Sequence, residues 1–133
     1  MAFTRKGERH LEVTYAAVAD MEPAMQRTLL EALRREVQGG RTSILFVVET
    51  LDVPAAVPKF WLEVTKELAP GLCAMAIVSD NLVVRTAASG FSVSNRLRRV
   101  PVEVRAYPRN DLHLAEQWCA EVRAKAPAAA PRR

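Results

Sequence analysis

Ile44-Leu45-Phe46-Val47-Val48 decides the fold class. The run is continuous rather than alternating, and three of its five residues are β-branched, so it reads as a strand covered on both faces. Leu72-Cys73-Ala74-Met75-Ala76-Ile77-Val78 repeats the pattern. Between them Val57, Phe60, Trp61, Val64 and Leu68 fall at helical spacing, with Pro58 in or near the first turn and Pro70-Gly71 as the stop. Two buried strands joined by one helix make a parallel crossover unit.

The pattern continues in both directions. Upstream, Leu11, Val13, Tyr15 and Ala17 alternate with Glu12, Thr14 and Ala16, which predicts a strand over Leu11 to Val18 with one wet face. A shorter strand around Phe3 to Lys6 can precede it, turning at Gly7. Asp20 reads as an N-cap with Glu22 and Pro23 in the first turn, and Met25, Leu29, Ala32, Leu33 and Val37 form a helical stripe that Gly39-Gly40 ends. Downstream, Ser79-Asp80-Asn81 caps a helix with the stripe Val84, Ala87, Ala88 and Phe91, which Gly90 is expected to break or loosen. Val102, Val104 and Ala106 alternate with Glu103, Arg105 and Tyr107 as a last strand. After the turn Pro108-Arg109-Asn110-Asp111, a final helix presents Leu114, Ala115, Trp118, Cys119 and Val122.

The order β-α-β-α-β-α-β-α predicts a single α/β domain with a mostly parallel sheet of four or five strands. The continuous strands belong in the middle and the alternating ones near the edges. Residues 1–10 are an N-terminal arm or short edge strand, and residues 11–124 the domain. Residues 125–133, rich in Ala and Pro, read as a disordered tail. If the strands advance in one direction, right-handed crossovers put all helices on one face. The apolar second face would then need cover from an N-terminal segment, a second copy or a partner.

Composition narrows the function classes. With 133 residues, half of them hydrophobic, the chain can build a core without disulfides or a structural metal. No apolar run approaches the ~20 residues of a membrane helix, and the N-terminus lacks the apolar stretch of a secretory signal, so a cytoplasmic location is the expectation. Of the net charge of +4, three units come from Lys125, Arg132 and Arg133, leaving +1 for the body, which argues against nucleic acid. Arg85, Arg96, Arg98 and Arg99 lack interleaved stacking aromatics and read as a solvated face. Cys73 and Cys119 sit far apart among apolar neighbours and read as reduced, buried thiols.

Motifs that carry chemistry are missing from the sequence. Five glycines write no phosphate cradle, and no GxSxG elbow, HExxH or zinc-type spacing occurs. No catalytic residue, cofactor or metal is expected. His10 and His113 read as surface residues, and Asp52 and Asp80 as helix caps rather than a carboxylate pair. Ligands of open α/β sheets bind at the carboxyl ends of the strands. The candidate interaction or ligand surface is therefore Thr50, Asp52, Val53, Pro54, Asp80, Asn81, Arg85 and Tyr107.

Four segments carry a resemblance to a known family. They are Glu12-Val13-Thr14-Tyr15 leading to Asp20, Ile44 to Glu49, Ala76 to Arg85, and Pro101 to Tyr107 followed by Leu114-Ala115-Glu116-Gln117-Trp118. Together they resemble the STAS-like group of anti-sigma-factor antagonists over roughly Glu8 to Arg123. The resemblance implies a non-catalytic regulatory scaffold of a bacterial signalling pathway that docks on a protein partner or on itself. Phosphorylated members carry an Asp-Ser-Ser-Gly-type segment after the second core strand. This chain has Asp52-Val53-Pro54-Ala55-Ala56-Val57-Pro58 there, and Thr50 is the only hydroxyl nearby, so the switch is expected to be lost. The alternative reading is a small-ligand or lipid-binding domain with its pocket near Thr50, Asp80 and Tyr107.

Overall fold

A computed structural model describes residues 2–50, 52–69 and 71–125. The strands are β1 (Ala2–Gly7), β2 (His10–Tyr15), β3 (Thr42–Val48), β4 (Leu72–Val78) and β5 (Glu103–Tyr107). The helices are α1 (Pro23–Glu36), α2 (Ala56–Leu68), α3 (Leu82–Leu97) and α4 (Leu112–Lys125). The sheet runs β1-β2-β3-β4-β5. The pairing of β1 with β2 is antiparallel and the other three are parallel, so the sheet is mixed. The continuous apolar strands β3 and β4 are interior, and β5 and β1 form the edges.

Two apolar layers flank the sheet. On one face Leu29 and Leu33 of α1, Trp61 and Val64 of α2, and Val84 and Phe91 of α3 pack on Leu11, Val13, Ile44 and Phe46. On the other face Ala115, Trp118, Cys119 and Val122 of α4 pack on Leu45, Cys73, Ala74, Ala76 and Val78. This corrects two expectations at once. The helices do not all share one face, and the second face is covered by the chain's own last helix. The physical reason is that α4 follows the final strand. It is not a crossover, so the handedness rule does not bind it. Small residues let it approach closely: Ala74, Ala76, Ala115 and Cys119 are all 0 % exposed. Beyond the reach of α4, the same face of β2 carries Glu12 and Thr14, which explains the alternation of that strand.

A register shift at Thr42/Ser43 puts both Cys73 and Ala74 on the α4 side, which breaks the alternation of β4. Gly71, at the entrance to β4, is required by space. A Cβ there would stand 2.4 Å from the Val37 carbonyl oxygen.

Local readings shift at several places. β2 ends at Tyr15, and residues 18–21 form a 3-10 turn before α1. Asp20 closes that turn, its carboxylate accepting the N–H groups of Ala16 and Ala17 at 2.9 and 3.1 Å; it does not cap α1, whose N-cap is Glu22. α3 runs unbroken through Gly90. Lys125 is the last residue of α4, and the remainder of the expected tail lies outside the described residues. His10 is buried at 8 % exposure, against the expected surface position, while His113 is exposed. Cys73 and Cys119 are free and buried.

Candidate functional site

A concave apolar recess lies at the carboxyl end of the sheet, between the sheet, α2 and α3. It is a cavity of about 250 Å³. Tyr15, Phe46, Met75 and Ile77 of the sheet form its floor. Val57 and Trp61 of α2 form one wall, and Val84, Ala87, Ala88 and Phe91 of α3 the other. Met21 of the 3-10 turn and Val53 of the loop after β3 close it partly from above. Val83, 74 % exposed, marks where the cavity reaches the surface.

The space has a simple origin. The stripe of α3 presents two alanines, Ala87 and Ala88, where a larger side chain would fill the gap. Across from them the aromatic residues hold each other in place. Phe46 stacks on Tyr15 at 6.2 Å, and Trp61 meets Phe46 edge-on at 4.7 Å and Phe60 at 5.2 Å. Aromatic rings thus line the sheet and α2 side, while Ala87 and Ala88 leave the space on the α3 side.

A small buried polar group lies beside the apolar lining. The Tyr15 hydroxyl donates to Gln26 Oε1 at 2.6 Å, and Tyr15 and Gln26 are 2 and 3 % exposed. Burial pushes the Tyr15 phenol well above its ordinary value. The Trp61 indole N–H is close enough to ease ionisation of that phenol, yet it makes no hydrogen bond of normal geometry. Gln26 Nε2 likewise has no partner. A buried donor left unpaired costs about 1–3 kcal/mol.

The residues read from the sequence divide between two faces and the rim. Val53 and Asn81 line the cavity. Asn81 caps α3, its side chain accepting the Val83 N–H at 3.0 Å. Thr50 closes a local turn, its hydroxyl accepting the Asp52 N–H at 3.3 Å, and Asp52 and Pro54 are exposed. Asp80 accepts the Arg109 N–H at 3.0 Å, fastening the turn before α4 instead of capping α3. Arg85 donates to the Ser79 carbonyl at 2.8 Å and stands at the opposite end of α3 from Arg96 to Arg99. Tyr107 packs against Trp118, ring centroids 6.3 Å apart, on the α4 side of the sheet. The expected site is thus at the right end of the sheet, but only two of its residues touch the cavity.

Gln26 and Trp61 were not among the expected site residues. Gln26 carries a readable signal, because it continues the apolar stripe backward as Gln26, Leu29, Leu33, Val37. A polar residue on a buried stripe is the informative exception. Trp61 carries none, since an aromatic on a helical stripe is ordinary core.

Among the described residues no group of three or more His, Cys, Asp or Glu is placed to hold a metal. Among the same residues no helix is long and apolar enough to cross a membrane. Compared with protein-family models, curated proteins and solved structures, the chain finds no match.

Proposed function

We propose that the protein is a binding domain without catalytic activity that takes a small apolar ligand into the cavity between the sheet, α2 and α3. The observation that carries this reading is the cavity itself. About 250 Å³ of space, lined by 16 residues of which only Tyr15, Trp61 and Asn81 carry a polar side-chain atom, persists where two alanines leave it open. An apolar cavity of roughly 150 Å³ already takes up benzene, so this one has room for a medium-chain or bicyclic molecule. Its position at the carboxyl end of a largely parallel sheet is where such folds bind ligands.

A second reading is the STAS-like docking module of a bacterial signalling pathway, without the phosphorylation switch. The order of elements supports it, and so do Leu82 and Val83, 66 and 74 % exposed at the start of α3. The argument from an uncovered sheet face no longer supports it, because α4 occupies that face.

Thermal unfolding with and without 2-octanone tests the first reading. A ligand that binds only the native state raises Tm in proportion to ln(1 + [L]/Kd). The wild type is expected to gain several degrees at saturating ketone, and an Ala88→Leu variant, whose side chain fills the cavity, none. Equal responses from both proteins would place the binding elsewhere, and no response from the wild type to any apolar probe contradicts the reading.

A further inference from the structure

A second recess lies at the amino end of the sheet, opposite the apolar cavity. Its volume is about 310 Å³, and Glu8, Arg9, Arg41, Arg123 and Ala124 line it. Three separate parts of the chain supply the arginines: the turn between β1 and β2, the segment between α1 and β3, and the last turn of α4. Ser43 ties two of them together. Its N–H donates to the Arg9 carbonyl at 3.0 Å, and its hydroxyl receives an N–H of the Arg123 guanidinium. Arg9 in turn donates through Nη1 to the carbonyls of Gly39 and Gly40, just before Arg41.

This arrangement runs against ordinary electrostatics. All three arginines are half-buried, and among the described residues none of them forms an ion pair. Elsewhere Arg5, Arg34, Arg98 and Arg109 each meet a glutamate. Like charges drawn partly out of water repel. Three guanidiniums against the single carboxylate of Glu8 leave two positive charges in excess. Two of the three also sit on strained backbone: Arg9 and Arg41 have φ of 61° and 52°, in the left-handed region that suits glycine.

We propose that this recess binds a phosphate dianion, the terminal monoester phosphate of a soluble metabolite or of a lipid headgroup. The excess of two charges matches a dianion, and a guanidinium fork donates in pairs to phosphate oxygens. The donors are at hand. Arg41 gives no hydrogen bond to the described residues, and Arg9 and Arg123 each commit only Nη1. A nucleic-acid strand fits less well, because the guanidiniums surround one recess instead of following a track, and no aromatic side chain lines it. His10 stands beside the site, its Nδ1 2.7 Å from the Ser43 hydroxyl that Arg123 also reaches. After burial, the Arg123 charge is the main cause of its lowered pKa, with Lys6 adding to it and Glu116 opposing. An anion held by Arg123 offsets that field. The site is independent of the apolar cavity and its ligand.

The experiment titrates the full chain at neutral pH and low ionic strength with inorganic phosphate and with methyl phosphate, by calorimetry, against sodium chloride at matched ionic strength. The His10 imidazole is followed by NMR. Both phosphates are expected to bind, more weakly as salt is added, and to raise the His10 pKa. Arg41→Gly removes the uncommitted guanidinium and relieves the left-handed strain. It is expected to weaken phosphate binding about tenfold or more while Tm stays unchanged or rises. Arg123→Gln is expected to weaken binding as well and serves should the Arg41 variant not fold. Flotation with phosphatidylcholine vesicles, with and without phosphatidic acid, separates the two sources. Capture by the acidic vesicles that Arg41→Gly abolishes assigns the phosphate to a lipid headgroup, and phosphate binding without capture assigns it to a soluble ligand. Three results overturn the proposal: neither phosphate nor acidic vesicles bind, Arg41→Gly and Arg123→Gln bind as the wild type does, or a single-stranded oligonucleotide binds tighter than either phosphate.

Discussion

His10 shows how a single residue ties stability to pH. Its Nδ1 lies 2.7 Å from Ser43 Oγ, and Arg123 reaches the same hydroxyl from α4. Its Nε2 is buried without a partner. Burial first, and then the Arg123 charge, lowers its pKa, with Lys6 acting in the same direction and Glu116 against it. Below an unfolded-state pKa of about 6.5 the unfolded chain takes up a proton that the folded chain refuses. Stability is therefore expected to fall as pH drops from 7 toward 5, and His10→Gln is expected to flatten that part of the profile. Urea midpoints across this pH range measure it, and a wild-type midpoint that rises on acidification would show that His10 is protonated in the fold. The two thiols on the same side of the sheet behave differently. Burial raises both, Cys119 to about 12, so neither is a reactive nucleophile at neutral pH.

At the scale of elements, α3 deserves a mutation of its own. Gly90 lies in its interior, is exposed, and a Cβ there would meet nothing within 4 Å. Gly in such a position costs about 1 kcal/mol relative to Ala. Gly90→Ala is therefore expected to raise Tm by a few degrees without changing ligand binding, and a loss of stability would mean that the helix needs to bend there. The same helix shows what could be read in advance. Its start after Ser79-Asp80-Asn81 and its apolar stripe follow from residue spacing, although the cap is Asn81 and not the expected Asp80. Its continuity does not, because packing of Phe91 and Asn95 beyond Gly90 outweighs the local penalty. β3 and β4 were legible for a similar reason. A run apolar on both faces has only one home in an α/β fold. The 3-10 turn of residues 18–21 was not, because the Asp20 side chain can serve a helix or a tight turn equally well. The cavity was hidden too. Ala87 and Ala88 look like good helix formers in the sequence, and only the facing Trp61 and Phe46 reveal them as a gap.

The whole molecule is a three-layer structure in which a single helix, α4, covers β3, β4 and β5 on one face. Trp118 anchors that helix: it is 7 % exposed, packs beside Tyr107, and lies under the Arg105 guanidinium at 5.2 Å. Trp118→Ala is expected to cost about 3–5 kcal/mol, read as a lowered urea midpoint. It is also expected to promote self-association as Ala74, Ala76 and Val78 lose their cover. An unchanged midpoint would mean that α4 contributes little to the fold. This layer was beyond the reach of the sequence because handedness governs crossovers and says nothing of a terminal helix. With both faces covered, the cavity is an apolar recess at the carboxyl end of the sheet. The direct measurement of its role is the rise of Tm with 2-octanone concentration in the wild type and in Ala88→Leu. A concentration-dependent rise in the wild type that Ala88→Leu abolishes, at unchanged or higher basal stability, is the expected result. A wild-type Tm that stays flat up to the solubility limit of the ketone would contradict it.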